Sequence, residues 1–338
     1  MRGARWLRSD DAGWADMLAS AGPHDVYHLP GYHRVAEASG WGEAWLHVVD
    51  DGRRWIALPL LLQPIEGAPG RCDATSVYGY AGPITSTAPV GQDLVADFHR
   101  TLHQGLVERG AVTLFARLHP LLEQAPVLAG MGELARLGDT VSIDLRLPEE
   151  AQLATYRSNH RRDIAKLERK GYRTMVNERP GDLGPFVELY YENMRRVQAQ
   201  SRYFFDAAHF ERLAETLGPA LTLALCDLDG EIVGAGLFMR HGPIVQYHLA
   251  AVSDRHAGAA PAKQLIDASR RHFRAAGADF LHLGGGRGAI EDSLFHFKAG
   301  FSPRRHAFRV WRWIIDAPAY EALTAGRPAT RFFPAYRG

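Results

Sequence analysis

The chain has 338 residues, 46% of them apolar and 23% charged, with a formal net charge of +1. That is the composition of a globular protein long enough for about two domains, and its near-neutral charge advertises no nucleic-acid partner. No run reaches the roughly 20 apolar residues that span a bilayer. The start MRGARWLRSDDAGW lacks a signal peptide's apolar core, and Cys72 and Cys226 alone make neither a disulfide framework nor a zinc site. A cytoplasmic protein without a metal is expected, its histidines scattered with none at metal-ligand spacing.

In chain order, AWLHVVD and RWIALPLLLQPI flank the turn Asp51-Gly52 and predict a hairpin. The Tyr/Gly/Pro segment SVYGYAGPI follows. Leu94, Val95, Phe98, Leu102 and Leu106 recur at helical spacing, and Gly110 ends that helix. The strands AVTLFARL and TVSIDLRL close the first half near Leu147. The second half opens with one long predicted helix, LPEEAQLATYRSNHRRDIAKLERKG, ended by Gly171. A strand YRTMVNE and a helix PFVELYYENMRRVQA come next. LTLALCDLDGEIVGAGLFMRHGPIVQYHLAAV then reads as three strands with turns at Asp229-Gly230 and His241-Gly242-Pro243. Val245, Tyr247 and Leu249 alternate with Gln246, His248 and Ala250, as in a half-buried strand. The loop SDRHAGAA, a helix PAKQLIDASRRHFRAAG, a strand ADFLHLGGG, a short helix IEDSLFHFKAG and a final strand AFRVWRWII complete the series.

This succession predicts an α+β fold of two similar lobes, each a mixed sheet flanked by helices. The boundaries are set at 1–147 and 148–316, with 317–338 as a tail that either packs back on the first lobe or meets a partner.

Three segments carry candidate chemistry. Arg255-His256-Ala257-Gly258-Ala259-Ala260-Pro261 joins a strand to a helix, and such a turn exposes backbone N–H groups beside the positive end of a helix dipole. Gly284, Gly285 and Gly286 end a strand where another backbone can come close, and Phe297-Lys298 ends the helix that follows. Lys298 either complements that helix's dipole or stabilises negative charge on a carbonyl oxygen. Finally, Ser158 to Arg173 gathers Arg161, Arg162, Lys166, Arg169, Lys170 and Arg173 against few acids: a solvated helix face, or a surface that meets phosphate.

Taken together, YGYAGPI, ELYYENMRRVQAQSRYFF, VQYHLAA and GGG followed by FKAGF resemble the FemABX family of aminoacyltransferases and the related BioF2-like acetyltransferases, which have two tandem GNAT-like lobes. The resemblance spans most of the chain. It implies that Phe297 and Lys298 are the family's catalytic pair, that Arg196 meets substrate phosphate with Tyr203 as the family's following tyrosine, and that Tyr78 and Tyr80 line the acceptor cleft; Tyr247 is expected to bind substrate as well. The donor site is expected at Arg255, Gly258 and Ala260 of the strand-to-helix turn and at Gly284, Gly285 and Gly286. No tightly bound cofactor is expected, and the co-substrate is aminoacyl-tRNA or acyl-CoA. The expected reaction is direct transfer from aminoacyl-tRNA to the amine of a peptide-containing acceptor, such as a peptidoglycan precursor or a peptide natural product, with tRNA held by the basic helix. The alternative uses acyl-CoA and a small amine or amino sugar, because the spacing Arg-x-x-Gly-x-Ala resembles the pyrophosphate turn of coenzyme A enzymes. Asp292 and His248 are candidates to take the amine proton.

Overall fold

The computed structural model describes residues 3–199 and 204–338. The chain forms two units, Met1–Leu137 with Ala307–Gly338, and Gly138–His306. These divisions fall earlier than the expected 147 and 316.

The first unit opens with β1 (Gly3–Arg8), α1 (Ala12–Ala19), α2 (Pro30–Ala38) and the hairpin β2 (Glu43–Asp50) and β3 (Trp55–Pro64). Asp51 shapes the hairpin turn, its carboxylate accepting from the N–H groups of Arg53 and Arg54 at 2.9 and 2.7 Å. Next come β4 (Cys72–Thr75), β5 (Ile84–Thr85), α3 (Gln92–Glu108), β6 (Ala111–Arg117), α4 (Ala125–Leu128) and β7 (Glu133–Asp144), within which the chain passes into the second unit. The apolar stripe of α3 (Leu94, Val95, Phe98, Leu102, Leu106) is buried against β2, β3 and β6, each such side chain contributing about 1.5–3 kcal/mol.

The second unit continues with α5 (Glu149–Ala154), α6 (Ser158–Arg169), β8 (Arg173–Glu178), α7 (Gly184–Arg196) and α8 (Ala207–Leu217). Instead of one long helix over 147–171 there are two. Thr155 turns its hydroxyl to the carbonyl of Phe301 at 3.0 Å, and the Arg157 N–H donates to the carbonyl of Gly300 at 2.8 Å. Those tertiary bonds interrupt the helix over residues 155–157, and periodicity does not reveal them. The antiparallel strands β9 (Leu221–Leu228), β10 (Glu231–His241) and β11 (Ile244–Val252) lead to α9 (Ala262–Ala275), β12 (Phe280–Gly284) and α10 (Ser293–Lys298). The sheet order is β7-β12-β11-β10-β9-β8, and β11 with β12 is its parallel pair. Leu265, Ile266 and Phe273 of α9 and Ile164 and Leu167 of α6 share one core with Val141, Ile143, Val245, Leu281 and Leu283.

β13 (Arg305–Ile314) and α11 (Ala317–Thr324) complete the chain. The sequence order places β13 in the second lobe, yet Val310–Ile314 pair antiparallel with Thr113–Arg117 of β6 in the first unit. Trp311 drives this: it is fully buried among first-unit side chains and its indole N–H donates to the carbonyl of Met131 at 2.7 Å. The tail 317–338 also belongs to the first unit. There Asp73, nearly fully buried, accepts from Thr113 at 2.7 Å, from the hydroxyl of Tyr336, and from Arg337 Nε at 2.6 Å. No described helix is long and apolar enough to cross a membrane.

Candidate active site

The second unit's sheet opens where β11 and β12 part. Their ladder covers Ile244–Gln246 against Phe280–His282 and ends there, although β11 runs on to Val252. The cause lies on the other edge of β11. Leu249 and Tyr247 face Leu237 and Phe238 of β10, so His248 is the extra residue of a β-bulge. A bulge bends and twists its strand, which turns β11 away from β12 just beyond Gln246. Burial lowers the His248 imidazole to about 3, with His209 adding to the effect, so it is neutral at ordinary pH and a weak proton acceptor. Tyr247 is half-buried on the same strand, its phenol pushed up by burial.

Past the opening, β12 ends at Gly284, and Gly285 and Gly286 follow it. Small size is required here: a Cβ on Gly286 would sit 2.0 Å from the carbonyl oxygen of Ile290, and one on Gly285 would sit 2.8 Å from that of Asp139. The glycines therefore let two backbone segments come close enough to leave the Gly285 carbonyl facing α10. Lys298, at the last position of that helix, is buried and donates from Nζ to the Gly285 oxygen at 2.7 Å. Burial lowers its ammonium to about 8, and the nearby Asp292 partly opposes the shift. Such an amine is still mostly charged at pH 7 but releases its proton readily.

Asp292 is not placed to serve as a base. Its carboxylate caps α10 through the Phe295 N–H at 2.9 Å and pairs with Arg287 Nε at 2.9 Å. Burial pushes the carboxyl up, but the bonds from Phe295 and Arg287 more than offset this and hold it low. Phe297 is half-buried, packed on the rings of His160 and Phe301.

The Arg255–Ala260 loop is more closed than its sequence suggests. Asp254–Ala259 form a 3-10 helix, Ala260 takes a left-handed conformation (φ 58°, ψ 52°), and α9 begins after Pro261. The N–H groups of His256 and Ala260 are spent on Ser253 and Ala257. Arg255 is 80% exposed with Glu231 3.9 Å away, and Gly258 lies in open space. Arg196 reaches this loop: its guanidinium donates to Asp254 Oδ1 at 2.7 Å and to the Val252 carbonyl at 3.3 Å. Glu192 adds a bond from the Asp254 N–H at 2.6 Å. Arg196 thus ties α7 to the end of β11.

Tyr78 and Tyr80 lie in the first unit, both half-buried. The Tyr78 carbonyl accepts from the Tyr32 hydroxyl at 2.7 Å, and Tyr80 packs edge-on against Tyr27 and Phe308. Gly79 between them has φ +130° and lies flat on the Tyr27 ring, where any Cβ would be 2.2 Å away. Tyr203 falls outside the described residues. The site therefore gathers Lys298 with the glycine run, and Arg196 with the Arg255–Ala260 loop. No group of three described His, Cys, Asp or Glu residues could hold a metal ion.

Residues 154–298 match the acetyltransferase (GNAT) domain model. Among solved structures, the crystal structure of FemX aligns over 94% of this chain and 99% of its own with a TM-score of 0.72 and 14% identity. Residues 154–298 thus form a GNAT-type acyltransferase domain, and the fold of the chain as a whole is like that of FemX. Similar in fold as well are the C-terminal domain of a putative lysylphosphatidylglycerol synthetase from Agrobacterium fabrum (18% identity, TM-score 0.58, 92% of this chain and 93% of that one) and a tandem GNAT protein of clavulanic acid biosynthesis (14%, 0.51, 92% and 98%). No curated protein sequence matches.

Sequence reasoning found the glycine run and Lys298 but missed what surrounds them in this acyltransferase. The bulge at His248 left no signal, because an inserted residue looks like ordinary alternation until its partner strand is known.

Proposed function

We propose that this acyltransferase moves an aminoacyl group from aminoacyl-tRNA to the amine of a peptide-containing acceptor, such as a cell-wall precursor, in the cytoplasm. The amine attacks the ester carbonyl, a C–N bond forms, and a tetrahedral oxyanion results. The C–O bond to the ribose then breaks, and the leaving hydroxyl regains the proton that the amine gives up. No acyl-enzyme is needed. Lys298 supports this reading most directly: a buried ammonium on the Gly285 carbonyl, at the edge of the β11/β12 opening, suits the stabilisation of an oxyanion. Tyr247 is assigned to the acceptor, and Phe297 packs on the rings of His160 and Phe301.

The donor assignment rests on α6. His160, Ile164 and Leu167 are buried, while Arg161, Arg162, Lys166, Arg169 and Lys170 are exposed. Of its two acids, Asp163 bonds Lys263 at 2.6 Å and lies 3.7 Å from Arg162, and Glu168 pairs with Arg271 at 3.6 Å. The outward face is therefore cationic and suits the phosphates of tRNA. Binding of a charged tRNA pool, measured against salt, should weaken steeply and lose part of its slope in Arg161→Glu/Arg162→Glu. A salt-independent interaction would rule the tRNA reading out.

A second reading uses acyl-CoA, and the exposed Arg255 and open Gly258 at the start of α9 favour it. In that case Gly258→Glu should abolish CoA binding. Unchanged affinity would dismiss it.

A further inference from the structure

Lysine occurs at four positions, 166, 170, 263 and 298, among 39 lysines and arginines. Lys166 and Lys170 are exposed; Lys263 and Lys298 are buried. Lys263 has a carboxylate partner at 2.6 Å, whereas Lys298 donates to a backbone carbonyl. A buried ammonium held by a neutral oxygen depends on the position of its own helix, and α10 has only six residues. Something outside it must fix its last turn.

The residues at the start of α6 meet that turn. His160 is buried, and its Nε2 lies 2.9 Å from the carbonyl oxygen of Phe297, the residue before Lys298. Because a carbonyl only accepts, Nε2 carries the proton, while Nδ1 lies 3.1 Å from Asn159 Oδ1. The ring is wedged in place: a Cβ on Gly300 would come within 2.2 Å of it, and Phe301 packs edge-on at 4.7 Å. Arg157 adds two more bonds, from its N–H to Gly300 at 2.8 Å and from Nη1 to the His296 carbonyl at 3.2 Å. The carbonyls of His296, Phe297 and Gly300, at and just past the end of α10, are thus met by Arg157 and His160, that of Phe297 also accepting from the Gly300 N–H at 3.1 Å.

We infer that His160 is a positioning residue of the acyltransferase, holding the last turn of α10 so that Lys298 stays buried on the Gly285 carbonyl. This rests on the reading of Lys298 as the group that stabilises the oxyanion. The imidazole is neutral in this role. Burial lowers its pKa and the bond to Phe297 partly opposes that, with Lys263 and Arg157 lowering it and Asp163 raising it. Asp292 is the charged group facing Lys298 from the start of its own helix.

The scarcity of lysine makes this testable without a substrate. Protein labelled with 13C at the lysine ε-carbon gives four signals, and Lys298→Arg identifies the one that matters. In the native protein that signal should titrate near 8. In His160→Phe, which keeps a ring but loses the bond, and in His160→Asn, too short to reach Phe297, the midpoint should rise by about one unit or more as water reaches the amine. His160→Gln, whose amide can donate at nearly the same place, should stay near the native value. Turnover should fall about ten- to a hundred-fold in kcat at unchanged KM in the first two and recover in the third. If His160→Phe does not fold, the Asn and Gln pair decides. Native titration and native kcat in the Asn variant would overturn the inference. Full turnover in Lys298→Ala would instead refute the role given to Lys298, with the titration still deciding what His160 positions.

Discussion

The Nζ of Lys298 and the carbonyl oxygen of Gly285 are 2.7 Å apart, so the glycine run and the lysine that follows it form one device. The glycines bring a carbonyl within reach of α10, and that carbonyl fixes the ammonium. Lys298→Met should cut kcat by about 10²–10³-fold, the usual effect of removing an oxyanion donor. Its folding stability should be unchanged or higher, because a buried charge is replaced by an apolar chain of similar length. Urea unfolding alongside steady-state kinetics measures both, and a parallel loss of stability would make the lysine structural.

The lysine also sets a pH dependence. Its folded pKa, about 8, lies below the ordinary 10.5. Between those values the unfolded chain binds the additional proton, so this group makes stability rise with pH across the window, and its full cost applies below pH 8. Activity runs the other way. If the charged amine is required, kcat should fall as pH passes about 8, and Lys298→Arg should remove that alkaline limb. A kcat profile flat to pH 9.5 would contradict the assignment.

Glycine substitutions separate the two loops. Gly286→Ala would place a methyl 2.0 Å from the Ile290 carbonyl oxygen and 2.5 Å from Asp292 Oδ1, so the turn must shift and turnover should fall at least tenfold. Gly258→Ala meets nothing within 4 Å and should leave the melting temperature unchanged. A stable, fully active Gly286→Ala would show that the close approach at 284–286 is dispensable.

At the far end of the chain, Asp73→Ala should destabilise the first unit by about 2–3 kcal/mol, since it removes a buried carboxylate bonded to Thr113, Tyr336 and Arg337. The segment after Thr324 should then be cut early by trypsin after Arg331, Arg327 being protected by Pro328. Equal cleavage rates in the two proteins would remove Asp73 as the anchor.

Much of the fold was legible because its signals are local. The amphipathic stripe of α3, the hairpin turn at Asp51 and the three strands from Leu221 to Val252 each follow from spacing within a few residues. Long-range pairing hid the rest. β13 reads as a last strand of the second lobe, and only the seat of Trp311 shows that it joins β6. The break between α5 and α6 depends on Phe301 and Gly300, some 145 residues away. In the site, glycines before a lysine could be read directly. The bond from Arg196 to Asp254 and that of His160 to Phe297 could not, because neither residue type nor spacing announces its partner.

The central claim is aminoacyl transfer. It is tested most directly by incubating the purified protein with a generic peptide amine and either a charged tRNA pool or a set of acyl-CoAs, and weighing the product. The account predicts a peptide heavier by one amino-acid residue with charged tRNA, lost on RNase treatment and in Lys298→Met. Product from an acyl-CoA and none from charged tRNA would contradict it.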